Sequence, residues 1–206
     1  MKKKAITATG TWSALLLIVG LAYASSAQSV ITENTSGSEA TAGGGFALGQ
    51  SVTTPAGNSW TNISFNLVES RSNNPYAEGE LFLLSASYAG PPADLSSSTS
   101  GFLASTTDIA NGEWVFAPDV TLNPSTQYYF YTGTQFDGSH NIWFSLSDPY
   151  SGGEASQASY SSYYGSLPSV DLVFTLSGTV VPVPEPTTLA LAGLGAASLL
   201  AFRRKK

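Results

Sequence analysis

From about residue 45 onward the apolar residues of this chain recur with a period of two almost everywhere, and outside the leader no stretch before residue 187 sustains a helical period. A two-residue period puts successive side chains on opposite faces, which is strand geometry and not helix geometry. In WTNISFNLVE (60–69), Ile63, Phe65 and Leu67 fall on one face and Asn62, Ser64 and Asn66 on the other, the pattern of a half-buried strand. A leading strand is expected at Ser29–Thr32, followed by a Gly-rich loop to about residue 45. GELFLLSASYA (79–89) reads as a strand with both faces apolar in its first half. EWVFAPDVTLNPSTQYYFYTG (113–133) reads as two strands about a turn at Asn123–Ser125, because Asn-Pro favours turn initiation. Two later strands place Ile142, Phe144 and Leu146, then Leu172, Phe174 and Leu176, on single faces. Short strands about ten residues apart, broken by Gly, Pro, Asn and Ser, predict an all-β fold. The expected form is an antiparallel β-sandwich, jelly-roll-like, over residues 28–180, with an up-and-down barrel as the alternative.

The two ends differ from this body. Lys2, Lys3 and Lys4 precede an apolar run from Trp12 to Tyr23, and small residues at Ala22/Ala24 and Ser25/Ala27 follow. That order is a secretory signal peptide over residues 1–27, cleaved after Ala24 or Ala27. Its twelve apolar residues are too few for a bilayer core of about 30 Å. Seven of the eight basic residues sit at positions 2–4 and 203–206. Between them lie fourteen acids, from Glu33 to Glu185, and Arg71, a net charge of −13. Such a surface repels phosphate backbones, so nucleic acid is excluded as a partner. Zero cysteines exclude thiol catalysis and zinc-thiolate sites, and a single histidine excludes most imidazole metal sites.

Residues 181–206, VPVPEPTTLALAGLGAASLLAFRRKK, form three parts. VPVPEP cannot extend the last strand, because proline fixes φ and lacks an amide donor. Residues 187–202 make an apolar segment that spans about 24 Å as a helix. Arg203, Arg204, Lys205 and Lys206 form a cytoplasmic stop by the positive-inside bias. Pro184-Glu185-Pro186 ahead of a short transmembrane helix and a basic tail resembles the PEP-CTERM sorting signal. The resemblance implies processing at Pro184, Glu185 and Pro186 by an exosortase-type membrane protease or transpeptidase. It also implies transient inner-membrane anchoring, a final place at the cell envelope surface or outside the cell, and a setting of exopolysaccharide or biofilm. The body, through FALGQSVTTPAG, GELFLLSAS and TLNPSTQYYFYTG, resembles a choice-of-anchor surface domain over about residues 30–180.

Four groups are candidates for chemistry. Glu78 and Glu80, two apart on an expected strand, share a face and have the separation inverting glycoside hydrolysis needs, but read more simply as an acidic patch. His140 has Asp137 and serines nearby but no G-x-S-x-G nucleophile turn. Asp137 and Asn141 offer calcium ligands without the EF-hand spacing. The segment YSGGEASQASYSSYYGS (150–166) has the Tyr/Ser/Gly composition of adaptable binding loops. Tyr150, Tyr160, Tyr163 and Tyr164 are therefore candidates for stacking on sugar rings, against the simpler reading that they pack onto the sheet. The expected function is a non-enzymatic surface or matrix protein with a structural or adhesive role; the alternatives are a lectin-like module, calcium-assisted or not, and a secreted hydrolase.

Overall fold

Among the described residues the two-residue period resolves into fifteen short strands. The computed structural model describes residues 27–37, 39–40, 45–136, 139–159, 162–182, 193–195 and 198. Residues 1–26 of the expected signal peptide, the Pro184–Pro186 triplet, the basic tail and most of 187–202 lie outside these residues. Among the described residues no helix is long and apolar enough to cross a membrane.

The strands are β1 (Ser29–Asn34), β2 (Glu39–Ala40), β3 (Phe46–Thr53), β4 (Trp60–Val68), β5 (Pro75–Tyr76), β6 (Leu81–Leu84), β7 (Phe102–Thr106) and β8 (Ile109–Ala110). They continue with β9 (Glu113–Val115), β10 (Gln127–Thr132), β11 (Trp143–Ser145), β12 (Ala155–Ser159), β13 (Gly165–Leu167), β14 (Asp171–Leu172) and β15 (Phe174–Val180). One six-stranded sheet runs β1-β15-β4-β9-β8, with β5 also pairing to β4. A second runs β13-β12-β3-β10-β6-β7, and β14-β11-β2 form a small third sheet. Every pairing among the described residues is antiparallel. This order excludes the up-and-down alternative, in which each interior strand pairs with its sequence neighbours: here β3 pairs with β10 and β12, and β4 with β15 and β9.

The two large sheets contribute to one core. Ile63, Phe65 and Leu67 of β4 meet Phe174 and Leu176 of β15, Trp114 of β9, and Leu48, Val52, Tyr128 and Phe130 of the other sheet. Phe65 is its centre: its ring lies 4.4 Å from that of Phe130 with planes 4° apart, 5.8 Å from Phe174 and 6.3 Å from Trp114. Trp114 is fully buried, and its indole N–H is satisfied by donating to the Gly79 carbonyl at 3.0 Å.

The fold departs from the sequence reading at four places. The polar face of β4 is only partly open: Asn62 is exposed, but Ser64 and Asn66 are buried, Ser64 Oγ accepting from Gln28 Nε2 and Asn66 Nδ2 donating to Glu113 Oε1. Strand β6 stops at Leu84 instead of running to Ala89. The Ser85 amide turns to the Gly101 carbonyl and the Tyr88 amide to the Tyr131 hydroxyl, which takes the chain out of the ladder. Leu146 is exposed while Ile142 is fully buried, because β11 ends at Ser145. The Tyr-rich stretch contains a hairpin, β12 with β13, not one long loop. An Asn111-Gly112 turn, both residues at positive φ, closes the β8–β9 hairpin. A Cβ on Gly112 would run into the Pro75 carbonyl.

Phe65→Ala removes the ring on which three others rest. The expected loss is about 3–5 kcal/mol of unfolding free energy, read by urea denaturation. Leu146→Ala, at an exposed position, is expected to change it by less than about 0.5 kcal/mol.

Candidate functional site

The second sheet turns one face to the shared core and the other outward. On β10, Tyr128 and Phe130 enter that core, whereas Tyr129 and Tyr131 belong to a smaller cluster on the opposite face. Register then decides what lies beside them: Tyr129 pairs with Ser51 and Tyr131 with Gly49 on β3, and Gly49 pairs with Ser156 on β12. Two small residues thus separate the tyrosine row from β12 and leave a trough. Gly49 is required there, since a Cβ would come within 2.6 Å of the Tyr131 ring and closer still to Ser156 Oγ.

Two adjoining hollows occupy the trough, of about 220 Å³ and about 490 Å³, and both are lined by Ser51, Ser87, Tyr129 and Glu154. The smaller also takes in Tyr88, Tyr131, Tyr164, Ser156 and Ser166. The rings are held in place. Tyr129 and Tyr131 lie 6.4 Å apart with planes 2° from parallel, and Tyr129 Oη donates to Gln127 Oε1 at 2.9 Å. Tyr88 sets its ring edge-on to both Tyr131 and Tyr164, and its hydroxyl donates to the Pro91 carbonyl at 2.8 Å. Desolvation raises the pKa of Tyr88, Tyr131 and Tyr164 above the ordinary phenol value, so all three are neutral hydroxyls at physiological pH.

The structure divides the four tyrosines singled out from sequence. Tyr150 packs edge-on against Phe174 at 5.2 Å, and its hydroxyl both accepts from the Thr53 amide and donates to the Thr53 carbonyl. Tyr164 is 4 % exposed and donates to the Thr132 carbonyl, yet it borders the smaller hollow. Tyr163 is 68 % exposed. Tyr160 lies outside the described residues. Tyr129, Tyr131 and Tyr88, which form most of the aromatic wall, are not among the residues that the sequence reading singles out. The i, i+2 spacing of Tyr129 and Tyr131 is the signal that marks one face, but nothing local says the opposing strand carries Gly and Ser there.

The remaining candidates separate. Glu78 and Glu80 are not on a strand: Gly79 between them has φ 68°, Glu78 accepts from the Tyr76 hydroxyl at 2.7 Å, and the Glu80 carbonyl accepts from the Gly133 amide. Their expected shared face is therefore lost at a left-handed glycine. His140 stacks on Tyr76 at 4.3 Å, and its Nδ1 lies 3.1 Å from Glu69 Oε1. The Ser72 hydroxyl, donating to Glu69 Oε2 at 2.6 Å, with His140 adding to it, holds the Glu69 carboxyl below the usual range. Asp137 lies outside the described residues, and among those described no group of three or more His, Cys, Asp or Glu could hold a metal ion.

One buried acid escaped the sequence reading. Asp171 is fully buried; Oδ1 accepts from Gln50 Nε2 and Oδ2 from the Tyr150 amide, each at 3.1 Å. Desolvation outweighs these bonds and raises its pKa. A raised folded value means the folded state holds the proton more tightly, so the stability from Asp171 is full below the ordinary carboxyl value near 3.8 and falls as pH climbs through the folded value. In urea titrations, the unfolding free energy of the parent relative to Asp171→Asn is expected to decline as pH rises from about 4. A flat difference would show that Asp171 does not titrate differently on folding. For Glu69 the sign reverses: stability is present above 4.5 and lost as pH falls through the lowered folded value. Ser72→Ala is expected to move the Glu69 carboxyl titration upward by NMR.

Residues 182–205 match the family model described as the PEP-CTERM protein-sorting motif. That match covers the triplet, the apolar segment and all but the final residue of the basic tail, and it marks an exported protein directed to an exosortase. Among curated proteins nothing matches the chain.

Proposed function

We propose that the chain is an exported, exosortase-processed protein whose β-sandwich body, a choice-of-anchor type of surface domain, has a structural or adhesive role in an exopolysaccharide-rich surface or matrix, without enzymatic activity. The observation that carries this reading is the sorting motif over residues 182–205. The strongly acidic body supports it, since Arg71 is the sole basic residue between positions 4 and 203 and such a surface stays soluble and off anionic lipid. Against a hydrolase stand the candidate acids, since Glu78 and Glu80 flank a left-handed Gly79 instead of sharing a strand face.

Intact mass of the protein recovered from cell surface and medium tests the sorting step. The mature form is expected to begin after Ala24 or Ala27 and to lack Arg203–Lys206. A variant with Pro184, Glu185 and Pro186 all changed to Ala is expected to keep Lys206 and stay in the membrane fraction. A parent protein whose mature form still ends at Lys206 would overturn exosortase processing.

A further inference from the structure

We infer that the trough on the outer face of the second sheet is a binding site for a neutral, hydroxyl-rich glycan, with Tyr129 as its stacking platform and Glu154 as its charged acceptor. The inference deepens the preceding reading by naming a ligand class, but the geometry that supports it lies wholly within the β-body.

Three observations converge. The first is pre-set aromatic surface. Tyr129 is half-buried, borders both hollows, and is fixed by its bond to Gln127 and its parallel partner Tyr131. A platform already ordered loses little rotamer freedom when a pyranose C–H face packs on it. The second is the polar lining. The Ser87 and Ser156 hydroxyls and the exposed Glu154 side chain line the hollows beside the ring and supply donors and acceptors for sugar hydroxyls, while the buried Ser51 hydroxyl holds the Glu154 backbone in place. A further hollow of about 430 Å³, beside Asn62 and Asp108, also carries Ser and Thr hydroxyls, but the ring in its lining, Phe116, is buried and no tyrosine borders it. The third is charge. Neither trough hollow is lined by a basic residue, and the whole body carries one arginine against its acids, so uronic or phosphorylated glycans are repelled.

The test is calorimetric titration of the full chain in a sugar-free zwitterionic detergent. Cellohexaose, maltohexaose and mannohexaose are the neutral probes, and hexagalacturonate is the acidic one. Saturable binding of at least one neutral probe is expected, with none for hexagalacturonate. Tyr129→Ala is expected to weaken binding about tenfold or more, and Tyr129→Phe, which keeps the ring, to stay within about threefold of the parent. Ser87→Trp, at an exposed rim position, is expected to block the trough, with an unchanged far-ultraviolet circular dichroism spectrum showing that the fold is intact. Glu154→Gln is expected to weaken binding about threefold to tenfold by removing a charged acceptor. Failure of every neutral probe, a preference for hexagalacturonate, or neutral binding untouched by Tyr129→Ala and Ser87→Trp in folded protein would each overturn the assignment. None of these outcomes depends on exosortase, so the glycan site and the sorting reading fail separately.

Discussion

The stacking of Phe65 on Phe130 is the contact on which the rest of the body depends. It brings β4 of one sheet and β10 of the other to ring contact, and Phe174, Trp114 and Phe116 arrange themselves around that pair. Once Phe130 is committed to the interior, strand alternation forces Tyr129 and Tyr131 to the far face. The outer trough is in this sense a by-product of the inner core. The same residue period builds both, and neither can be shifted by one position without exchanging them.

The inner core was open to sequence reading because its signal is local. Ile63, Phe65 and Leu67, and Leu172, Phe174 and Leu176, announce their faces within six residues, and all are buried. The outer face was not, because its character depends on partners distant along the chain. Asp171 looks like one of fourteen acids until Gln50, 121 positions away, is placed against it. Ser64 and Asn66 look solvated until Gln28 and Glu113 cover them. Glu78 and Glu80 appear to share a face only if Gly79 is extended, and its positive φ undoes the pattern.

The Tyr-rich segment shows composition misleading by half. Tyr, Ser and Gly between positions 150 and 166 mark adaptability, yet Tyr150 and Tyr164 each spend their hydroxyl on backbone of the second sheet. The Tyr150 ring packs on Phe174 and the Tyr164 ring, in the β12–β13 connection, on Tyr88 and Tyr131, instead of reaching outward. Aromatic surface at the trough comes chiefly from β10, a regular strand, and from the Ser87–Ala89 stretch that leaves β6 early. Rigid strands position such rings better than a loop does, which is why the site is found there.

The pairing of β1 with β15 has a consequence for export. Ser29 lies opposite Gly178, so the first strand of the body has no ladder partner until the last strand is present. β15 in turn sits between β1 and β4, joining the start of the chain to the centre of the sheet. A polypeptide threaded across a membrane from its N-terminus therefore cannot close this sheet while its final strand is still on the near side. Closure waits on the arrival of Phe174–Val180, immediately ahead of the sorting motif that begins at residue 182. Gln28 and Val181, flanking the antiparallel neighbours β1 and β15, lie at the same end of that pair, so the chain enters and leaves the finished sheet at adjacent points.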